Sequence, residues 1–132
     1  MNVVDIATPH IAGYSIEGKA NATSVCINAL NEYFNLSLRE NWYPNNLPIP
    51  ARSNEIKIDC LGKSSKEIFF ECINSAYNIS EDDKRLRSEV CNFEKQREEY
   101  PTRREFNFYR VHLLNADKYM HEAIKGFGFN LL

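Results

Sequence analysis

The sequence has little glycine, no excess of basic charge and no long apolar run. Its 5 glycines form no G-x-G-x-x-G cluster, so the phosphate-binding turn of a dinucleotide-binding fold is missing from these 132 residues. The formal net charge of -2 gives no electrostatic reason to expect nucleic acid as a partner. No apolar stretch reaches the roughly 20 residues that cross a bilayer, and the N-terminus lacks the basic cluster of a signal peptide. We therefore expect a cytoplasmic protein that binds neither nucleic acid nor membrane.

Cysteine is also sparse, and its spacing argues against a metal site. The four residues lie far apart, without a C-x-x-C pair, among apolar neighbours: Cys26, Cys60, Cys72 and Cys91. We expect all four to be small buried hydrophobic residues in a reducing compartment. Zinc would need closer cysteines with histidines nearby, which His112 and His121 do not supply, so no metal site is predicted.

The chain does contain enough apolar material for one ordinary domain with an appendage. Hydrophobic residues make up 43% of it, as in globular proteins that bury a core. A connector at residues 38–54 is predicted to be extended rather than helical, because it contains three prolines: Pro44, Pro48 and Pro50. We therefore expect three parts, namely residues 1–37, the connector and residues 55–132.

The first part is predicted to form a strand, a loop and a helix. Residues 3–8, VVDIAT, are short, apolar and β-branched, which indicates a buried strand that ends at Pro9. Ser15 is a suitable N-cap for a helix of about five turns. Apolar residues recur there at steps of three and four and share one predicted inner face: Ile16, Ala20, Thr23, Ile27, Leu30 and Phe34.

Residues 55–132 have the pattern of a small α/β sandwich. Ile56, Ile58 and Cys60 alternate with charged residues, which predicts a half-buried strand. A capping box at Ser64–Glu67 opens a predicted helix. Five apolar residues form the inner face of that helix: Ile68, Phe69, Cys72, Ile73 and Ala76.

The strand and helix order then recurs after a charged run. Residues 81–105 mix both signs of charge, which favours a largely solvated helical segment over a binding patch. Tyr109, Val111 and Leu113 alternate in a second predicted strand, Asn115 is predicted to cap the next helix, and the closing FNLL predicts a third strand. The fold class is therefore α/β (α+β), with a sheet of about three strands and helices on one face.

The stretch from Gly13 to Lys19 spells G-x-x-x-x-G-K and invites interpretation as a phosphate-binding P-loop. The following residue must then be Ser or Thr to hold Mg²⁺, yet it is Ala20. Glu17 would place a carboxylate inside the nest of backbone amides that is meant for phosphate, and would repel the anion. We therefore interpret the match as a coincidence.

The residues around this stretch carry a more specific pattern. From Asp5 to Ala20 the chain reads D-I-A-T-P-H-I-A-G-Y-S-I-E-G-K-A, which resembles the last βα unit of the D-isomer-specific 2-hydroxyacid dehydrogenases. The L-P-I-P from Leu47, the F-E-K-Q-R-E-E-Y-P-T-R-R-E-F from Phe93 and the closing K-G-F-G-F-N resemble the C-terminal dimerisation domain of one branch of that family. The resemblance covers nearly the whole chain. It implies a Rossmann-type βα segment followed by an α/β dimerisation domain, in a homodimer.

The resemblance also implies roles for three residues of the loop that begins with T-P-H. His10 matches the catalytic acid/base, which takes the substrate hydroxyl proton as a hydride leaves for NAD. Gly13 matches a residue whose backbone lies against NAD, and Tyr14 matches one that contacts the substrate. Imidazole suits acid/base work near neutral pH, and glycine allows a bulky cofactor to approach the backbone. His112 and His121 match no such role and are expected at the surface.

The other catalytic groups of the family have no counterpart in the chain. In the family, a glutamate that raises the basicity of the histidine and an arginine that grips the substrate carboxylate lie upstream of the matched region. We therefore expect a C-terminal portion of a dehydrogenase that is inactive by itself. The alternative is a free-standing α/β homodimerisation module without catalysis. Four apolar residues are expected to be left over from the local core for a dimer contact: Trp42, Tyr43, Phe106 and Phe108.

Overall fold

The computed structural model describes residues 3–132, so the first two residues of the predicted 1–37 segment lie outside the described part. Over that range the chain forms five α-helices: α1 (Ile16–Phe34), α2 (Ser65–Ala76), α3 (Ile79–Ser88), α4 (Phe93–Glu98) and α5 (Lys118–Gly126). The strands are β1 (Glu55–Asp59), β2 (Arg110–Leu114) and β3 (Asn130–Leu131). Short 3-10 turns occupy Val90–Asn92 and Phe106–Phe108.

The three strands form a parallel sheet in the order β1-β2-β3. Ile56 pairs with Val111 and Ile58 pairs with Leu113, so the apolar side chains of both strands stand side by side on one face. Residues from α2 and α5 complete the core on that face: Ile68, Cys72, Ala76, Met120 and Ile124. The prediction of an α/β fold with about three strands and helices on one face is confirmed.

The opposite face of the sheet is open in the described chain. Lys57 on β1 and His112 on β2 are exposed there and stand opposite each other in the register. Arg110 and Glu55 form an ion pair across the same two strands at 2.6 Å. The position of His112 at the surface is as expected, and His121 is partly exposed on α5.

The predicted strand at residues 3–8 is wrong. Those residues form no strand, and Val3 and Val4 are 94% and 50% exposed. A strand is stable only when a neighbouring strand satisfies its backbone. Here side chains do so instead, because the Ala7 N–H donates to Asp83 at 2.7 Å and the Val4 carbonyl accepts from Arg87 at 3.0 Å.

Helix α1 begins where the sequence predicts, but its inner face is different. The hydroxyl of Ser15 caps the helix by accepting from the Gly18 N–H at 3.0 Å. Leu30 and Phe34, predicted to face inward, are 51% and 59% exposed, and the second half of the helix has no buried residue. The buried positions lie in the first three turns: Glu17, Ala20 and Ser24. Glu17 and Ser24 are polar, and each forms an ion pair or hydrogen bond that compensates for its burial.

The connector has no regular structure but is held against α1. Asn28 accepts from the Trp42 N–H at 2.8 Å and donates to the Trp42 carbonyl at 3.1 Å. One turn later, Asn31 accepts from the Leu38 N–H at 2.9 Å. The division of the chain into residues 1–37, 38–54 and 55–132 stays a prediction.

Several local predictions need correction. Asp117, not Asn115, caps α5 by accepting from the Met120 N–H at 2.7 Å, while Asn115 adopts φ 55° and donates to Asp59. Cys60 and Cys72 are buried as expected, but Cys26 and Cys91 are exposed because α1 and the Val90–Asn92 turn are incompletely covered.

The aromatic residues expected to be left over for a dimer contact also divide into two groups. Phe106 and Phe108 pack against the core cluster, and the Phe106 ring stacks on Phe129 at 4.5 Å, so both belong to the local core. Tyr43 is 38% exposed, and Trp42 is half-buried with its backbone bonded to Asn28 of α1. Trp42 and Tyr43 therefore lie outside the core cluster, and their part in a contact between copies stays a prediction.

Candidate active site

The T-P-H loop presents His10 at the surface between two buried neighbours. Pro9 and Ile11 are buried, whereas His10 is exposed. The His10 backbone has φ 57°, a left-handed conformation that costs a non-glycine residue about 1–3 kcal/mol and persists only where the surroundings impose it. The two buried neighbours therefore fix the backbone that carries the imidazole.

Two turns fold the loop compactly and bring the three predicted site residues together. The His10 N–H donates to the Thr8 carbonyl at 2.8 Å, and the Tyr14 N–H donates to the Ile11 carbonyl at 3.0 Å. Ser15 then caps α1 directly behind Tyr14. His10, Gly13 and Tyr14 consequently lie on one short loop whose far end is rigidly joined to a long helix.

Gly13 leaves its backbone open to approach from outside the chain. A Cβ built on this residue would meet no heavy atom within 4 Å. Local packing therefore does not require glycine here, whereas a cofactor that lies against the backbone would. This fits the expected contact with NAD. No glycine-rich turn for a cofactor pyrophosphate occurs in the described residues, and the contact of Gly13 with NAD stays a prediction.

Gly18, in contrast, is required by the packing of the loop itself. A Cβ on Gly18 would lie 2.9 Å from the Ser15 hydroxyl oxygen and 3.0 Å from the Gly13 carbonyl oxygen. The two glycines of the G-x-x-x-x-G-K stretch therefore serve different purposes. Neither takes part in a phosphate nest, because the Glu17 carboxylate between them is buried in an ion pair with Arg104 at 2.6 Å.

Tyr14 is half-buried beneath the loop, and its ring is held by three neighbours. The ammonium of Lys19 lies 4.3 Å from the ring centroid, and the Arg97 guanidinium lies at 5.5 Å. The Tyr100 ring meets it edge-on at 5.8 Å. Each such contact contributes on the order of 0.5–1 kcal/mol, which together orient the ring.

Arg103 is the residue that joins this loop to the rest of the molecule. Its Nη2 donates to the Ile11 carbonyl at 3.2 Å and to the Ala12 carbonyl at 3.0 Å, and its own carbonyl accepts from the Ile16 N–H at 2.9 Å. The guanidinium lies 4.7 Å from the Tyr77 ring centroid. Arg103 thus contacts both sides of the stretch that includes Gly13 and Tyr14.

The segment before the T-P-H loop is anchored by α3. Asp83 accepts the Ala7 N–H and is paired with Arg87, whose Nε lies 2.8 Å from the carboxylate. The hydrogen bond from Ala7 and the pairing with Arg87 hold the pKa of the Asp83 carboxyl below its usual range.

Sequence reasoning missed these anchoring residues. The run from 81 to 105 mixes charges of both signs, and that pattern favoured a solvated segment. In the structure Asp82 and Gln96 are buried, and Asp83, Arg103 and Arg104 bind residues 76 to 92 positions away in the chain. The adjacent pair Arg103–Arg104, two residues after Pro101, was the available signal, although it did not identify their partners.

The described part of the chain contains neither a candidate metal-binding group nor a helix that could span a membrane. From residue 3 onward, no group of three or more His, Cys, Asp or Glu side chains is arranged to hold a metal ion. No helix within the same range is long and apolar enough to span a membrane.

Comparison with known proteins gives a consistent relationship. The family model described as "Domain of unknown function (DUF3410)" matches residues 49–125. The chain is 32% identical over 135 residues to an erythronate-4-phosphate dehydrogenase of Marinobacter nauticus, a match that covers 96% of the chain and 34% of the relative. A protein of the same name from Bacteroides thetaiotaomicron is 38% identical over 106 residues, with 80% and 27% covered.

A third relative, the erythronate-4-phosphate dehydrogenase of Chromohalobacter salexigens, is 31% identical over 144 residues and is matched over 98% of the chain. The chain spans about a third of the length of these curated relatives, since 34%, 27% and 35% of them are covered. Because two of the matches cover 96% and 98% of the chain, the similarity includes the T-P-H loop as well as the sheet.

Proposed function

Because the chain belongs to the erythronate-4-phosphate dehydrogenase family, we propose that it forms the C-terminal part of such an enzyme. The reaction is the NAD-dependent oxidation of 4-phospho-D-erythronate to 2-oxo-3-hydroxy-4-phosphobutanoate, a step towards pyridoxal 5'-phosphate, and its compartment is the cytoplasm. The observation that carries this proposal is the exposed His10, held at φ 57° between buried Pro9 and Ile11 on the family-specific loop.

His10 is the proposed acid/base. Its imidazole accepts the proton of the substrate hydroxyl while the hydrogen on the same carbon departs as a hydride, which leaves a carbonyl. NAD, when bound, supplies the acceptor for that hydride. Imidazole is suited to the proton transfer because its ordinary pKa lies close to neutral pH. The left-handed backbone of His10 matters here because it directs the side chain out of the loop, away from the buried Pro9 and Ile11.

Gly13 and Tyr14 are the proposed contacts with cofactor and substrate. The open backbone of Gly13 permits close approach by NAD, and the crowded glycine next in the stretch, Gly18, keeps the loop in the shape that exposes it. Tyr14 is oriented by Lys19, Arg97 and Tyr100, and it is only half-buried, so part of its side chain is accessible to a substrate. A fixed ring loses little entropy when a ligand binds.

The chain by itself is proposed to be inactive. It contributes one proton-transferring residue but lacks the glycine-rich turn that positions the cofactor. Positioning of the two reactants accounts for a large share of enzymatic rate enhancement, on the order of 7–11 kcal/mol. A histidine without a held cofactor therefore has no hydride acceptor to work with.

A homodimer is the proposed assembly. The parallel sheet has one open face, which carries Lys57 and His112, and parallel sheets are ordinarily covered on both faces. A two-fold contact between copies would cover such a face with itself. Sedimentation velocity of the purified chain checks this, and a monomer at micromolar concentration would contradict it.

The alternative function is a free-standing α/β homodimerisation module without catalysis. The incompletely covered helix α1 favours it, since Tyr33 and Phe34 are 79% and 59% exposed and form no part of the described core. On this view the helix is a surface element and His10 is a loop residue of no chemical importance.

Reconstitution separates the two functions. The purified chain is incubated with NAD and 4-phosphoerythronate, alone and after mixing with the N-terminal two-thirds of the Marinobacter nauticus relative, and NADH is followed by absorbance at about 340 nm. We expect no NADH from either part alone and measurable NADH from the mixture. An inactive mixture in which the two parts nevertheless co-elute would favour the module without catalysis, and turnover by the chain alone would refute the proposed division of roles.

A further inference from the structure

A second concave site lies apart from the T-P-H loop. A cavity of about 430 Å³ opens between the start of α3, the end of the connector and residues 100–103. Its lining includes none of the three candidate active-site residues. A volume of this size lies within the range of small-molecule sites, roughly 300–1,000 Å³.

The lining of this cavity carries an excess of positive charge. Three arginines contribute to it, namely Arg52, Arg85 and Arg103, against the two carboxylates of Glu81 and Asp82. Arginine presents five N–H donors in a planar fork that matches carboxylate and phosphate oxygens. The cavity is thus suited to an anion rather than to a neutral or cationic ligand.

The buried carboxylate in the wall is already satisfied by its neighbours. Asp82 is 3% exposed and pairs with Arg85 one helical turn away. It also accepts from the Tyr77 hydroxyl at 2.8 Å and from the Tyr100 hydroxyl at 2.7 Å. With these three donors Asp82 neutralises Arg85 and fixes two tyrosine rings, so it does not offset the charge of the other two arginines.

Those other arginines retain donors for a ligand. Arg52 makes one described hydrogen bond, from Nη1 to the Ser75 carbonyl at 3.2 Å, which leaves most of its five N–H groups. Arg103 makes both of its bonds to the T-P-H loop through Nη2. Each guanidinium is therefore held at one end and still has donors at the other.

The phenol of Tyr109 adds a neutral donor to the same cavity. Tyr109 lines the cavity although only 2% of its surface is exposed. Burial raises the pKa of its hydroxyl, so the group keeps its proton at neutral pH and can donate to an anion. An anion in the cavity could therefore accept charge-assisted hydrogen bonds from two arginines and a neutral hydrogen bond from one phenol.

We propose that this cavity binds a small oxyanion, a phosphate monoester or carboxylate that also carries hydroxyl groups, between Arg52, Arg103 and the Tyr109 hydroxyl. Asn78 and Thr102 in the same wall provide partners for the hydroxyl groups of the ligand. A volume of about 430 Å³ is sufficient for a small acid of that kind. The proposal is independent of the role of His10, since it concerns different residues.

Arg103 gives this site a connection to the T-P-H loop. The guanidinium that would bind the anion also holds the Ile11 and Ala12 carbonyls. An anion that fixes Arg103 therefore reinforces the loop contacts as well. We expect the backbone amides of residues 11–14 to respond to the ligand together with those of the cavity wall.

The test is an NMR titration of the ¹⁵N-labelled 132-residue chain at constant ionic strength, with inorganic phosphate and, separately, with glycerate as probes. Constant ionic strength removes the general screening of surface charges. We expect saturable shifts at Tyr77, Tyr109 and Ala12, with a Kd on the order of 1 mM. Saturation by phosphate alone assigns the site to phosphate monoesters, and saturation by both probes assigns it to oxyanions in general.

Two variants and a matched control locate the binding. Arg52→Gln removes an exposed cavity arginine and should weaken the binding of phosphate roughly tenfold, the loss expected for a charge-assisted hydrogen bond. Tyr109→Phe removes only the hydroxyl and should weaken it about threefold. Arg110→Gln removes an equally exposed arginine that pairs with Glu55 outside the cavity, and should leave the affinity within about twofold.

The opposite results would overturn the proposal. Linear, unsaturated shifts up to about 20 mM phosphate would show that no site exists. Equal weakening by Arg52→Gln and Arg110→Gln would show that the anion responds to net charge alone. Circular dichroism of each variant confirms that the fold is retained, and neither failure would bear on the dehydrogenase proposal.

Discussion

At the scale of single residues, burial does not follow residue type in this chain. Glu17 and Asp82 are charged residues that lie inside, whereas Phe34 and Val25 are apolar residues that lie outside. In both buried cases an arginine and further donors satisfy the carboxylate, and breaking such a pair by removing one partner costs about 3–5 kcal/mol. These polar contacts therefore contribute to the shape of the molecule as much as its apolar core does.

The difference in burial among the four cysteines can be tested through the reactivity of their thiols. Cys26 and Cys91 are exposed, whereas Cys60 and Cys72 are buried in the core. Burial raises the pKa of the Cys72 thiol to about 12, so almost none of it is thiolate at pH 8. We predict that two thiols of the native chain react rapidly with a disulfide reagent at that pH and that the other two react only after unfolding. Rapid reaction of three or four thiols in the folded chain, measured by mass spectrometry of the labelled peptides, would contradict this arrangement.

Whole elements differ in how well the sequence predicts them. The capping box of α2 and the alternation in β1 and β2 are local signals, because the residues that carry them lie within one turn or one strand, and both predictions are confirmed. The strand predicted at residues 3–8 fails because its stability depends on a neighbouring strand that local pattern cannot reveal. Helix α1 keeps its predicted start at Ser15 and the predicted burial of Ala20, whereas Leu30 and Phe34 of the predicted inner face are exposed.

The residues of the candidate site also differ in whether the sequence could predict them. His10, Gly13 and Tyr14 could be named from the sequence because they lie within one short motif, and their roles stay predictions. Arg103 could not be named, because its contacts with Ile11 and Ala12 join residues 92 and 91 positions apart. The ion-paired segment that anchors the loop is visible only once the chain is folded.

The contact between α3 and the segment before the T-P-H loop is predicted to weaken in acid. The pKa of Asp83 is lowered in the folded chain, so its stabilising contact is fully formed above the pKa of the unfolded state and is lost as the pH falls through the folded value. We predict that the Ala7 amide is protected from hydrogen exchange near pH 6 and loses that protection as the pH falls below the ordinary range of a carboxyl group, about pH 4.

Two substitutions at position 83 check this cause. Asp83→Asn keeps an acceptor for the Ala7 N–H, so protection should persist at low pH in a weaker form. Asp83→Ala removes the acceptor and should abolish protection at every pH. If Asp83→Ala left the protection of Ala7 unchanged, another group would have to be holding the segment.

At the scale of the whole molecule, one polypeptide combines the T-P-H loop with a small parallel sheet. The loop is not a separate appendage, because Arg103, Arg104 and Asp83 bind it to the sheet-containing part. A displacement of α3 or of residues 103–104 would therefore be transmitted to the segments on both sides of His10 through these contacts. The proposed function requires this loop to complete an active site together with a cofactor-binding part.

The central claim is that His10 is the acid/base of a dehydrogenase completed by a cofactor-binding portion. The direct measurement is kcat for a chimera in which residues 1–132 replace the corresponding C-terminal third of the Marinobacter nauticus relative, assayed with NAD and 4-phosphoerythronate. Substitution of His10 by Gln should lower kcat by roughly 10²- to 10⁴-fold with an unchanged melting temperature. The matched substitutions His112→Gln and His121→Gln should leave kcat within about twofold. An active chimera in which all three substitutions have the same small effect would contradict the claim.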